Sequence, residues 1–436
     1  MSTPSPLQAT LDGWFRRSAA TRTAWCVVGF VALYGVLAAA QLLIWIAAVL
    51  SIALVLVTKG EWARVPGGRI YWLLVGCLLL PGLISSFDAL NVDKALSTSG
   101  RLLAYGLIGW FFLRLAPTED QWGRTVLWLT GLLVVWSLDG IVQEWRGISL
   151  SGYPLFTGLP EGHKVTGSMG LDYGPTLAVL SPLLFEALRL HGRRWPVLWL
   201  ALPLLAVAIS LSASRYSAGL FLVSALLCGS LWVRGRSSQS YWTPLLVMSL
   251  SLCGLLLPLA LVPHLAERIA LLGTSASAST EELNIALAYR PELWQASWQL
   301  FVDHWVNGVG VRGSAGAVNP ILAASPIFPE VMLSRGWHPH LGVLEIAADT
   351  GVIGLAGYAV FIGALITMTL RANEQSRGAA TALLTIVFLA MFPLSSALSM
   401  YSFTTGSLTW PLLALAVGSY IRSPASRVTA DEAPSL

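Results

Sequence analysis

The chain has 436 residues, of which 55% are apolar and only 11% charged, and its formal net charge is +4. A soluble domain has about a quarter of its residues charged, so this composition excludes a water-soluble enzyme, a nucleic-acid-binding protein and a disordered scaffold. We therefore predict an all-α polytopic membrane protein whose apolar residues lie in lipid-facing spans.

Twelve apolar segments are predicted to cross the bilayer, each as a helix of about 20 residues. The first two share an uncharged stretch that is too long for one helix, so a tight hairpin near Ala40–Gln41 must divide it. A count of eleven or thirteen spans stays open. The predicted spans, within a single membrane domain of residues 1–436, are 24–40, 41–58, 70–87, 101–116, 124–143, 174–190, 195–212, 216–233, 242–263, 351–370, 379–396 and 404–421.

The distribution of positive charge predicts the orientation of these spans. With a cytoplasmic N-terminus, 17 of the 26 Lys and Arg residues fall in the inner segments, although the outer segments are much longer in total. Short cytoplasmic loops carry an excess of Lys and Arg in membrane proteins, so both termini are predicted to be cytoplasmic. The outer polar residues are concentrated in residues 144–173 and in one large loop, residues 264–350.

A helix is predicted inside the large loop. Trp294, Trp298, Phe301 and Trp305 recur at spacings of 4, 3 and 4, which places them on one helical face. We expect this helix to lie at the outer interface with its aromatic side in lipid. An aromatic belt without any chemistry is the plainer interpretation of these tryptophans taken alone.

Titratable groups that are suited to chemistry also gather in the loop, which holds four of the six histidines: His264, His304, His338 and His340. Motifs of soluble catalysis are absent, including the phosphate-binding loop and the G-x-S-x-G turn. No Asp-x-Asp pair occurs, and the four cysteines lie in apolar runs without metal-ligand spacing. His338 and His340 lack a convincing third ligand, so we predict neither a metal site nor a cofactor.

The segment from Trp337 to Leu355 resembles the histidine motif of the O-antigen ligase/O-antigen polymerase superfamily. That motif is written H-x-H-N-x-x-L, followed after six residues by glycine and then by G-L. His338, His340, Leu344, Gly351 and the pair Gly354-Leu355 match it, whereas Leu341 stands where the family usually has Asn.

Four cationic residues agree with this resemblance. Arg215 follows a short polar run at an outer span boundary, and Arg290 lies in a segment similar to the family's arginine segment of the large loop. Arg268 follows the ninth span, and Lys164 opens a glycine-rich segment before the sixth. The resemblance implies a GT-C-type membrane glycosyltransferase in which these residues bind substrate. The resemblance extends to individual residues only over residues 160–355. In the rest of the chain only the number and arrangement of the predicted spans resemble the family.

The chemistry of these residues favours the same reading. A lipid-linked diphosphate donor needs fixed cations at the membrane surface, and arginine offers a planar, permanently charged fork to phosphate oxygens. For any one of these arginines, anchoring at the interface is the simpler interpretation.

His340 is predicted to be the general base, because a neutral imidazole can accept the proton of a sugar hydroxyl. For His338, support of His340 and simple burial stay equally open, and in a helix it would point away from His340. Glu345 and Asp349 are expected either to orient the loop or to cap a helix.

The resemblance implies an O-antigen ligase in the bacterial inner membrane, with its site on the periplasmic side. It would transfer a glycan from undecaprenyl diphosphate to a sugar hydroxyl of lipid A–core. An O-antigen polymerase and a protein O-oligosaccharyltransferase are the nearest alternatives. A polysaccharide or lipid transporter is the alternative from another class, although transport sites usually lie near the middle of the membrane.

Overall fold

The computed structural model describes residues 46, 49, 65–159, 162–234, 242–263, 265, 287–330, 333, 336–375 and 377–422. The predicted spans 24–40 and 41–58 lie outside the described residues, apart from Ile46 and Val49, which are helical. Arg268 and His264 lie outside them too.

The described part of the chain is mostly helical. A short hairpin, β1 (Phe156–Leu159) with β2 (Gly162–Lys164), is the sheet among the described residues. The helices of the described residues are α1 (Gly68–Ser85), α2 (Val92–Leu113), α3 (Glu119–Arg146), α4 (Tyr173–His191), α5 (Ala201–Leu211), α6 (Arg215–Arg234), α7 (Trp242–Leu261), α8 (Arg290–Asp303), α9 (Ser314–Ala323), α10 (Gly342–Glu374), α11 (Gly378–Ala390) and α12 (Phe403–Arg422).

Five helices of the described residues are long and apolar enough to cross a membrane: α1, α3 from Gln121, α6, α7 and α10. Large apolar side chains on these helices are exposed, for example Leu73 (71%) on α1 and Val360 (62%) on α10. Exposed leucine and valine on long apolar helices are expected where the surrounding solvent is lipid. The all-α membrane class is therefore supported, whereas the count of twelve spans stays a prediction.

Helices α4, α11 and α12 form the centre of the bundle. Every residue of α4 from Tyr173 to Leu188 is buried, and the same holds for α12 from Thr404 to Ser419. The stacked rings of Phe185 and Phe221 join α4 to α6, with centroids 5.9 Å apart. A helix that is apolar on all sides belongs in the interior, as these sequences do.

The polar contacts divide the bundle into two ends. At one end the Arg422 guanidinium donates to the Leu113 and Ala116 carbonyls, and Arg189 pairs with Glu186. The other end, which we call the loop end, contains the described loop residues 86–91, 147–159, 162–172, 212–214, 304–313 and 391–402. Backbone bonds such as Leu90 N to Val309 O (3.1 Å) and Val165 N to Leu211 O (3.3 Å) join these loops. The predicted orientation makes the loop end the outer one.

α10 contains the predicted tenth span, 351–370, but begins nine residues before it, at Gly342, and consists of two helical segments that meet at Gly351. Gly351 interrupts the helix with φ 61° and ψ −158°, but the chain is helical on both sides of it. The segment that follows α8 fills the break, since Val352 N donates to Trp305 O (2.9 Å) and Val309 N to Ala348 O (3.0 Å). A Cβ at residue 351 would lie 2.3 Å from the Val306 carbonyl oxygen, so only glycine fits there.

The predicted helix in the large loop is confirmed as α8 for Trp294, Trp298 and Phe301, but α8 ends at Asp303, before Trp305. Trp294 (37%) and Trp298 (57%) are exposed, whereas Leu293 and Leu300 are buried on the opposite face. These leucines form a small second core with Val309, Val318 and Ala348. The described part of the loop around α8 and α9 thus packs on the first turns of α10, with Trp294 and Trp298 outward.

Candidate active site

The two motif histidines lie in an extended segment that ends where α10 begins. The prediction that a helix turns His338 away from His340 is wrong, because residues 336–339 have no regular structure and α10 begins only at Gly342. Their ring centroids are 3.9 Å apart, with 47° between the planes. His340 has a φ of 52°, and its backbone N–H donates to His338 Nδ1 at 3.3 Å. The positive φ folds the segment back so that both rings face one another.

The hydrogen bonds assign a tautomer to each ring. His340 Nδ1 lies 2.8 Å from the Ser396 carbonyl oxygen, and a carbonyl oxygen only accepts. Nδ1 of a neutral His340 therefore carries the proton and Nε2 keeps its lone pair. His338 is reversed: its Nδ1 accepts from the His340 backbone, so Nε2 carries the proton. One ring offers a proton acceptor and the other a donor.

Both imidazoles are neutral near pH 7. Burial is the main reason that the pKa of His340 falls to about 3, and the adjacent His338 lowers it further. The bond to Ser396 opposes this shift, while the charges of Arg290 and Lys164 add to it. Burial, followed by the charges of Arg312 and Arg290, lowers the pKa of His338 to about 4. A cationic and partly desolvated environment disfavours the imidazolium form.

Two of the four predicted cations act on these histidines, and a third acts on one of those two. Arg290 is the first residue of α8, and its charge acts on both rings. Lys164 ends β2 and acts on His340. Arg215 is the first residue of α6, and its charge, after burial, lowers the pKa of Arg290. The fourth, Arg268, lies outside the described residues.

Lys164 is held by the end of α3. Gln143 is fully buried, and its Oε1 accepts from Thr166 N and Gly167 N, both at 2.8 Å. Its Nε2 donates to the Tyr153 and Pro154 carbonyls at 3.0 Å. A single amide thereby fixes both ends of the segment that carries the hairpin. Sequence reasoning missed Gln143, since a lone glutamine near a span end carries no signal of its own.

Arg312 is a site residue that sequence reasoning did not select. Its φ is 60°, and its backbone N–H donates to Asp349 Oδ2 at 2.7 Å. Trp337 N donates to Ala315 O at 2.9 Å, which joins the histidine segment to the same turn. Within the described part of the chain, the half-buried guanidinium groups of Arg312 and Arg290 make no hydrogen bond or ion pair. The sequence feature that could have identified Arg312 is its position among the glycines of residues 308–313, because this pattern predicts a tight turn.

Glu345 and Asp349 orient the loops rather than cap or solvate a helix. Asp349 is fully buried and accepts from the backbone of Arg312 (2.7 Å) and Ser314 (3.0 Å). Glu345, 3% exposed, accepts from Ser399 Oγ and Met400 N. The two carboxylates lie one helical turn apart in α10 and bind two different loops.

This site combines cationic side chains with one neutral imidazole acceptor. Among the described residues, no three His, Cys, Asp or Glu side chains converge as metal ligands. Arg290, Arg312 and Lys164 are positive groups whose charges act at this site, and such side chains can bind an anion.

Residues 197–359 match the family model described as O-antigen ligase. The resemblance found in the sequence is thereby confirmed, and the matched segment includes Arg215, Arg290 and both motif histidines. Lys164 lies before it. A search of curated proteins found no match.

The family motif also explains what Leu341 changes. Leu341 is the N-cap residue of α10, and its side chain makes no capping hydrogen bond. The Asn that the motif usually has at this position is among the best N-cap residues, because its side-chain oxygen accepts from the first turn. In this chain the departure falls on a helix cap rather than on the histidine rings.

Proposed function

We propose that the protein is an O-antigen ligase, which transfers a glycan from undecaprenyl diphosphate to a sugar hydroxyl of lipid A–core on the periplasmic face of the inner membrane. The observation that carries this proposal is the neutral His340, whose Nε2 is unprotonated and on which the charges of Arg290 and Lys164 act. The arginine and lysine side chains are suited to binding a diphosphate, and the unprotonated Nε2 can accept the proton of a hydroxyl.

The proposed reaction is a single displacement. Nε2 of His340 accepts the proton of the acceptor hydroxyl as its oxygen attacks the anomeric carbon. The bond from that carbon to the diphosphate oxygen breaks, and undecaprenyl diphosphate leaves with the electron pair, balanced by Arg290, Arg215 and Lys164. One displacement inverts the anomeric configuration. Arg312 and the protonated Nε2 of His338 supply further donors at the same pocket.

Donor binding makes His340 a better base in this scheme. In the free protein the charges of Arg290 and Lys164 help to lower the pKa of His340. The diphosphate brings negative charge between these cations, and an adjacent anion favours the imidazolium. Proton transfer becomes easier only when the leaving group is in place, which protects the pocket from unproductive protonation.

The test uses purified protein with lipid-linked glycan and lipid A–core, with EDTA present and no nucleotide. Glycan appearing on lipid A–core is the expected product, formed at the same rate with and without EDTA. A requirement for added magnesium or manganese would contradict the arginine-based scheme. Lengthening of the lipid-linked glycan would instead identify a polymerase, and a glycosylated protein an oligosaccharyltransferase. Movement of glycan across a vesicle without any covalent product would identify a transporter.

A further inference from the structure

The tautomer of His340 depends on one carbonyl group in the loop between α11 and α12. His340 Nδ1 has the Ser396 carbonyl as its hydrogen-bond partner, at 2.8 Å. That loop is attached to the start of α10, since Gly342 N donates to Ser395 O and Val343 N to Pro393 O, both at 2.9 Å. These bonds hold the arm of the loop that precedes Ser396.

Glu345 holds the arm that follows Ser396. Its Oε1 accepts from Ser399 Oγ at 2.5 Å, and its Oε2 accepts from Met400 N at 2.9 Å. Within the loop, Ser395 Oγ donates to the Leu398 carbonyl at 2.9 Å, which ties the two arms together. The Ser396 carbonyl is therefore clamped between α10 and the carboxylate of Glu345.

Packing alone does not account for a carboxylate at this position. Glu345 is 3% exposed, and within the described residues its hydrogen-bond donors are a hydroxyl and a backbone N–H, with no ion pair. Burying a carboxylate that only neutral donors satisfy costs several kcal/mol, so an apolar residue would serve a purely structural helix better. The arrangement points to a task that requires the two acceptor oxygens.

We propose that Glu345 is a positioning residue for the base: by holding Ser399 and Met400 it keeps the Ser396 carbonyl on His340 Nδ1, so that Nε2 stays unprotonated and faces the acceptor hydroxyl. The proposal rests on the general-base role of His340 given above. The hydrogen bond made by one ring nitrogen of a histidine determines which of the two nitrogens carries the proton. Without the bond to the Ser396 carbonyl, either nitrogen of His340 could carry it. A His340 with its proton on Nε2 cannot accept another there.

The experiment compares Glu345→Ala, Glu345→Gln and Ser399→Ala in detergent-solubilised full-length protein, with Glu374→Ala as the matched control. Glu374 lies at the opposite end of α10 and is exposed. The ring nitrogens are observed by NMR with ¹⁵N-histidine, and His340→Gln assigns the signal. Donor KM and kcat are measured in parallel.

In wild type and in Glu374→Ala we expect His340 to show protonated Nδ1 and unprotonated Nε2. Glu345→Ala is expected to shift the ring toward the Nε2-protonated form and to lower kcat by about 10–100-fold, the usual effect of losing a partner that orients a functional histidine. Donor KM should change by less than about twofold, because the cations that bind the diphosphate are untouched. Glu345→Gln should keep the tautomer, since its amide oxygen still accepts from Met400 N and its NH₂ group donates to Ser399 Oγ.

An unchanged tautomer in Glu345→Ala overturns the proposal, whatever happens to kcat. If that variant does not fold, Ser399→Ala decides, because it removes one of the two bonds and leaves Met400 N in place. It is then expected to give a mixed tautomer, and a wild-type spectrum would overturn the proposal. The spectrum needs no glycan substrate, so it separates a failure of this inference from a failure of the proposed ligase reaction.

Discussion

The low pKa of His340 predicts an unusual pH dependence for transfer. A histidine base with an ordinary pKa of about 6.5 is about 90% protonated at pH 5.5, and its rate there falls about tenfold below the plateau. Burial and the nearby positive groups lower the pKa of His340 to about 3 in the free protein. At that value less than about 1% is protonated at pH 5.5, and no loss from this group is expected.

Two kinetic constants separate the free and the donor-bound forms. With acceptor saturating and donor varied, kcat/KM reports the protein before donor binding, and kcat reports the donor complex. We expect kcat/KM to stay flat from about pH 8.5 to 5.5. The fall of kcat on the acid side should occur at a higher pH than the fall of kcat/KM. The reason is that the bound diphosphate offsets the charges of Arg290 and Lys164 and so raises the pKa of His340. Both ionisable oxygens of a diphosphate diester are strongly acidic, so the charge of the donor is constant over this range.

The assay is the initial rate of glycan transfer at constant ionic strength. Samples held at each pH and returned to about pH 7.5 control for irreversible loss. A fall of about tenfold in kcat/KM centred near pH 6.5 would refute the reasoning, since it would mean that neither burial nor the cations act on the base.

Three further predictions follow from the charge distribution and the helix ends. In a background without the native cysteines, Ala324→Cys should react with an impermeant thiol reagent in intact spheroplasts and Glu374→Cys should not; labelling of both, or of Glu374→Cys alone, would reject the predicted orientation. Arg290→Lys and Arg215→Lys keep the charge but lose the bidentate fork, so donor kcat/KM should fall by about tenfold or more in correctly inserted protein; full activity in both would make these arginines interface anchors. Leu341→Asn should cap α10 and stabilise the protein by about 0.5–2 kcal/mol with activity retained, measured as a rise in Tm; an unchanged or lower Tm would contradict this prediction.

The sequence was most informative where one physical requirement dominates. Continuous apolar runs predicted the ends of α4, α6 and α12 to within a few residues, because a membrane helix needs length and hydrophobicity and little else. The same rule predicted a span from residue 351, where α10 is interrupted, and did not predict the helical segment that precedes it from Gly342. A glycine that breaks a helix and a glycine that begins one look alike in a sequence, and only the loop packed into the break distinguishes them.

The candidate site was predictable in its residue types and only partly in its geometry. Arg290, Lys164 and Arg215 were identified through a motif; the charges of Arg290 and Lys164 act on His340, and the charge of Arg215 acts on Arg290. Arg312 was not, because its role depends on a backbone turn held by Asp349, far away in sequence. The contact of the His338 and His340 rings depends on a positive φ, which no periodicity of a sequence reveals.

The central claim is that arginine and lysine side chains bind the diphosphate of the donor, whereas His340 Nε2 accepts the proton of the acceptor hydroxyl. The most direct measurement is the rate of single-turnover transfer by His340→Ala, taken together with the Kd of undecaprenyl diphosphate for the same protein. For His340→Ala we expect the rate to fall by about 10²–10⁴-fold and the Kd to stay within about twofold of wild type. For His338→Ala we expect a smaller fall in rate. A His340→Ala protein that keeps its rate while His338→Ala is inactive would contradict the claim.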